Sequence, residues 1–182
     1  TDRYGRRATL LWIGIFYFVS AIWSGLANDV WSFIIARAIG GWGVGISTVA
    51  SPLYIAEIAP AERRGRLAGL FQFNIVFGIL VAFLSNYLIG KHVDAAVAWR
   101  WMLGIEAFPA LLYTALCFGL PESPRWLITI KNNLASAKDI LKQIGIENPD
   151  EEVSNIITAN KAVETSGAKN FFSRKYTKVL GL

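Results

Sequence analysis

The chain has 182 residues, 54% of them hydrophobic and 17% charged, with a mean hydropathy of +0.41 and a net charge of +5. A water-soluble domain usually carries about 25% charged residues, so this composition excludes an ordinary soluble fold. The positive balance does not argue for nucleic acid either, because the basic residues abut apolar segments instead of lining a polar face.

Four apolar runs, at residues 8–27, 30–59, 67–89 and 101–120, organise the sequence. Each reaches the ~20 residues that a helix needs to cross a bilayer. The chain opens on Thr1 and its one methionine is Met102, so it is expected to be a piece of a longer protein. A basic cluster, Asp2-Arg3-Tyr4-Gly5-Arg6-Arg7, precedes the first run.

The second run holds Arg37 in its interior, about 10 Å from its start, and Glu57 near its end. Gly41 and Gly45 form a small-xxx-small pair of the kind that lets helices approach closely. Pro52 here, and Pro109 in the fourth run, are expected to interrupt their helices. A second basic cluster, Glu62-Arg63-Arg64-Gly65-Arg66, follows the first after 60 residues and hints at a helical-hairpin repeat.

In the third run Gln72, Val76, Ile79, Phe83 and Asn86 share one helical face. The Gln72 carboxamide suits a hydroxyl-rich ligand, but on the residues alone an interhelical hydrogen bond is favoured. Glu106 lies six residues past Arg100 in the fourth run, about 9 Å deep and level with Arg37. An unpaired arginine at such depth costs at least about 2.5–3.5 kcal/mol, so Arg37 and Glu106 are expected to pair. The pair is either a static bridge or a site where Glu106 changes protonation.

Beyond residue 120, Pro121-Glu122-Ser123-Pro124 reads as a stop and a new start, with Ser123 as N-cap and Pro124 at the first helical position. Leu134, Ala137, Leu141 and Ile144 recur at helical spacing up to a stop at Gly145. A further helix begins at Asn148-Pro149 with acids in its first turn, and carries the stripe Val153, Ile156, Ile157 and Val163. These helices are either a small cytoplasmic layer or a solvated linker. Residues 171–182 turn basic, then apolar, as on the approach to another span.

Lysine and arginine fall mostly before the first run, between the second and third, and after the fourth; Lys91 and Arg100 lie on the opposite side. By the positive-inside rule both ends of the chain are cytoplasmic. Cys117 is alone and His92 sits in an outer loop, so neither a metal site, a cofactor site nor a hydrolytic triad is expected.

Several motifs converge on one resemblance. The segment from Asp2 to Arg7 resembles the loop signature of the major facilitator superfamily. Arg37-x-x-Gly40-x-x-x-x-Gly45, Pro52-Leu-Tyr-Ile-Ala-Glu57-Ile-Ala-Pro60-x-x-x-Arg64-Gly65 and Pro121-Glu-Ser-Pro-Arg-Trp-Leu127 resemble the sugar porter family within it. The resemblance covers nearly the whole chain. It implies an all-α membrane protein: residues 1–120 as helices 3 to 6 of twelve, part of the N-terminal six-helix bundle, then a cytoplasmic helical domain at 121–170 and the approach to helix 7 at 171–182.

The resemblance also implies roles. Gln72 matches a glutamine that hydrogen-bonds the sugar, which reverses the order of its two readings. Ile79 matches a second sugar-facing position, where xylose–proton symporters carry glutamine and glucose facilitators isoleucine; this tilts the expectation towards a hexose. Arg37 and Glu106 match the proton-coupling positions. Arg3, Arg7, Glu57, Arg64, Glu122 and Arg125 match a cytoplasmic network of gating charges. The implied activity is proton-coupled transport of a monosaccharide across a cell membrane, with a bacterial inner membrane expected. Uncoupled facilitated diffusion and a non-transporting sugar sensor are the alternatives.

Overall fold

The structure is a computed structural model and describes residues 4–170. Arg3 and the stretch 171–182 lie outside the described residues. Contacts divide the chain between Ser123 and Pro124 into two compact units.

The first unit contains α1 (Arg6–Leu26), α2 (Val30–Ile58), α3 (Ala61–His92), α4 (Ala95–Gly104) and α5 (Ala107–Phe118). Among the described residues four segments are long and apolar enough to cross a membrane: α1, α2, α3, and α4 with α5 together. A 21-residue helix such as α1 spans about 31 Å, matching the ~30 Å hydrocarbon core.

The apolar runs locate these helices, but their ends and interruptions differ from expectation. α3 begins at Ala61, so Glu62–Arg66 is the start of a helix rather than a turn. Gly5, by contrast, sits outside α1 with φ of 95°, a conformation that glycine adopts without steric cost. The two basic clusters therefore share composition but not backbone, and the repeat does not extend to local structure. α2 continues through Pro52 unbroken, as membrane helices tolerate when surroundings satisfy the freed carbonyl. The fourth run is broken at Ile105 and Glu106.

α1 is the hub of the first unit, packed on α2, α4 and α5. Its buried face joins Leu10 and Ile13 to Ala50 and Tyr54 of α2 and Cys117 of α5. Close approach comes from glycines other than the expected pair. A Cβ on Gly14 would collide with Thr114 Oγ1, and one on Gly40 with Ser20 Oγ, whereas Gly41 and Gly45 face open space. The face of α2 turned towards α1 thus runs through Gly40 and Gly43. α3 packs only lightly, on α2 and α4. Its membrane-spanning window is unburied despite a mean hydropathy of 2.2.

The second unit contains α6 (Pro124–Thr129), α7 (Leu134–Gln143) and α8 (Pro149–Asn170) around Ile128, Ala137, Leu141 and Val153. Asn133 caps α7 by accepting from Ser136 N at 3.1 Å, and Gly145 follows with φ of 85°. Asp150, Glu151 and Glu152 occupy the first turn of α8 as expected. Lys138 of α7 pairs with Asp150 of α8. The α7–α8 segment is therefore a packed unit and not a linker. The side chain of Val163 lies outside those described.

Candidate functional site

Two groups of polar side chains stand out in the first unit. The first is set by a helix break. Pro109 has no N–H, so the Ile105 carbonyl loses its helical partner. Phe108 N reaches it instead at 3.1 Å, in a tighter turn. α4 therefore ends at Gly104 and α5 starts at Ala107, with Glu106 at the join. There its Oε2 lies 3.4 Å from Arg37 Nη1. Both side chains are about half exposed, 46% for Arg37 and 53% for Glu106.

The pair lines a cleft of about 440 Å³ between α1, α2 and α5, shared with Tyr17, Ser20, Gly40 and Tyr113. Arg37, Gly40, Gly41 and Val44 line it from α2 at spacings of 3, 1 and 3. One turn beyond, Ser47 gives its hydroxyl proton to Val44 O at 2.9 Å. The 2.8 Å contact between Tyr17 and Ser47 is thus a hydrogen bond donated by Tyr17. Tyr17, Ser20 and Tyr113 were not singled out in the sequence, where hydroxyls in apolar runs carry little signal.

The second group ties the start of α1 to the ends of α2 and α5. Arg6 grips Glu57 in a two-pronged pair, Nε to Oε2 and Nη2 to Oε1, both at 2.9 Å. The side chains are only 10% and 4% exposed. Gly5 gives α1 no side-chain cap. Glu122 supplies one from a distant part of the chain, its Oε1 accepting from Arg6 N at 2.8 Å and Arg7 N at 3.0 Å. A carboxylate there satisfies open amide donors and meets the positive end of the helix dipole. Arg7 Nη2 donates to Phe118 O, the last residue of α5, at 2.6 Å. Tyr54 donates to Pro121 O at 2.8 Å.

Of the six residues expected in this charge network, the structure brings together Arg7, Glu57 and Glu122. Arg64 is exposed on α3, and Arg125 is exposed in the second unit. The sequence reading missed Arg6. Its signal was periodicity: Arg6 precedes Leu10 by four and Ile13 by seven, and all three are buried.

Gln72 and Ile79 lie seven residues apart on α3, both exposed. Neither lines the Arg37–Glu106 cleft. Within the described residues the sugar-facing and proton-coupling candidates are not brought together.

The family described as "Sugar (and other) transporter" matches residues 1–181. The glucose transport protein of Synechocystis sp. is 45% identical over 136 residues, covering 70% of this chain and 29% of that protein. The D-xylose-proton symporter of Escherichia coli K12 is 38% identical over 166 residues, covering 79% and 34%. A structure of the proton:xylose symporter XylE bound to 6-bromo-6-deoxy-D-glucose matches with a TM-score of 0.86 at 33% identity, covering 100% of this chain and 41% of that one. The chain thus spans about a third of the length of the curated relatives it matches.

Proposed function

The chain belongs to the sugar (and other) transporter family, with the all-helical membrane fold of the major facilitator superfamily, and on that premise we propose that it forms part of a monosaccharide–proton symporter. The observation that carries this reading is the Arg37–Glu106 pair, half exposed on a cleft within the helical bundle. A static bridge gains most when water is shut out. A pair open to a cleft can instead take up a proton: Glu106 becomes neutral, Arg37 keeps its charge, and their attraction is lost. Such a change shifts the balance between two states only if each holds the proton with different affinity. Alternating access then follows from rocking of the bundles.

In this scheme a sugar bonds to Gln72, with Ile79 beside it favouring a hexose over a pentose. The Arg6–Glu57–Glu122 end faces the cytoplasm of a cell membrane, as the basic clusters suggest. Arg6, Glu57 and Glu122 hold three helix ends together as one body. Arg64 and Arg125, exposed in their units, are left to meet charges of the other half.

The deciding measurement is transport by the full-length protein in proteoliposomes. Glu106→Gln is expected to abolish uphill accumulation driven by a proton gradient while sugar counterflow persists. Undiminished accumulation in that variant would reject the coupling role and favour uncoupled diffusion.

A further inference from the structure

At the end of the first unit where α1 finishes and α4 begins, the two helices touch backbone to backbone. A Cβ on Gly25 would lie 3.0 Å from Arg100 O and 3.3 Å from Gly104 Cα. Beside this contact an apolar groove of about 520 Å³ opens, lined by Ile22, Leu26, Val97, Trp101, Gly104 and Ile105, with Arg100 also on its wall. Gly104 keeps the groove open, since a Cβ there would meet nothing within 4 Å. From Val97 to Ile105 the wall runs about 12 Å along the helix.

Arg100 is held in place but not neutralised. Its guanidinium donates to Gly25 O at 3.4 Å and Asn28 Oδ1 at 3.2 Å, and stacks 4.7 Å from the Trp99 ring. Among the described residues it has no carboxylate partner. The acids nearby are otherwise engaged: Asp29, on a hollow shared with Arg100, accepts from Ser32 N, Asp94 accepts from Ala96 N, and Glu106 pairs with Arg37. Of the five guanidinium N–H donors, two are engaged.

Trp23, Trp31, Trp99 and Trp101 cluster at this same end of the helices. Tryptophans mark the headgroup level of a bilayer. This places the charge of Arg100, unmatched by a carboxylate, at headgroup depth, with the Ile22, Gly104 and Ile105 part of the groove running from it towards the hydrocarbon.

We propose that the groove is a binding site for one phospholipid, its phosphate on Arg100, its glycerol end beside Leu26 and Val97, and one acyl chain against Ile22, Gly104 and Ile105. Charge and depth select this occupant. A purely apolar ligand would leave the arginine unmatched, and a soluble anion would leave the groove empty. Arginine is suited to phosphate because its planar fork donates two parallel hydrogen bonds.

The test uses the full-length protein, delipidated in detergent, mixed with dioleoylphosphatidylglycerol and examined by native mass spectrometry. The unaltered protein is expected to retain one phosphatidylglycerol through a detergent wash. Gly104→Leu, which fills the groove from a position with open space, is expected to lose it. Arg100→Gln is expected to lose it too, while Arg100→Lys, which keeps the charge, retains part of it. Equal retention by all four proteins would overturn the proposal and place the lipid elsewhere, and retention by none would overturn it by showing that other protein covers the groove. Equal retention of uncharged dioleoylglycerol would overturn the role of the phosphate. A dimer that survives delipidation and is lost in Gly104→Leu would assign the groove to a second copy instead.

Discussion

Arg6 and Arg7 are neighbours with opposite fates. Successive helix positions are 100° apart, so Arg6 turns inward to Glu57 while Arg7 reaches the end of α5. Breaking a buried pair leaves an uncompensated charge, at a cost of roughly 3–5 kcal/mol. Glu57→Ala is therefore expected to lower the melting temperature of the purified protein sharply. The double variant Arg6→Met, Glu57→Leu should lose less than the single one, because neither charge is stranded. Additive losses in a thermal-shift series would contradict this account. The Arg37–Glu106 pair is half exposed on its cleft but sits within membrane-spanning segments, where a stranded arginine costs at least about 2.5–3.5 kcal/mol. Glu106→Gln, whose carboxamide can still accept from Arg37, should thus cost less stability than Glu106→Ala while changing coupling. The chain announced Arg37 and Glu106 because charges are rare in apolar runs. It hid the partner of Glu57, because several arginines lay within reach and only the face of α1 chooses among them.

Elements show why a proline is an ambiguous sign. Pro52 lies inside an unbroken α2, whereas Pro109 sits in the first turn of α5, where its missing N–H needs no helical partner. The chain accommodates Pro109 by breaking before it, and that break positions Glu106. Pro109→Ala is expected to allow a continuous helix across Ile105 and draw Glu106 from Arg37. Proton-driven uptake should then fall although both charges remain; unimpaired uptake would show that the break is not needed.

In the second unit the Lys138 hydrogen bond, reinforced by its charge, holds the Asp150 carboxyl below its ordinary value of 3.8. A lowered folded value means that stability from this pair is present above pH ~4 and fades as acid carries the solution through the lowered value. Because the pair is exposed its contribution is small: the protection of amides in α7 and α8, after correction for the intrinsic pH dependence of exchange, should fall slightly in that acidic range, and Lys138→Met should remove the step. The amphipathic pattern of these helices was legible because one face meets a core and the other water.

On the scale of the whole molecule, apolar length sufficed to count the membrane crossings, since lipid forces each to be a helix with its own backbone bonds satisfied. It could not say which faces meet. α3 is the sharpest case: apolar all round, it offers no stripe from which to read a neighbour, and it leaves Gln72 and Ile79 exposed. The chain spans about a third of its relatives, and the sugar site proposed on α3 would be completed only by what packs there. In the full-length protein Gln72→Ala should weaken equilibrium binding of radiolabelled hexose up to about tenfold, since a hydrogen bond contributes ~0.5–1.5 kcal/mol. An unaltered affinity would return Gln72 to a role between helices.

The carboxylate that closes the start of α1 lies 116 residues downstream. At ~5–20 residues per second of synthesis, a ribosome needs roughly 6–25 s to deliver it. Until then this crossing must sit in the membrane with its leading amides bonded to water or headgroups. Nascent chains arrested before Glu122 should therefore show a loose beginning to this helix, and those arrested well after it a sealed one.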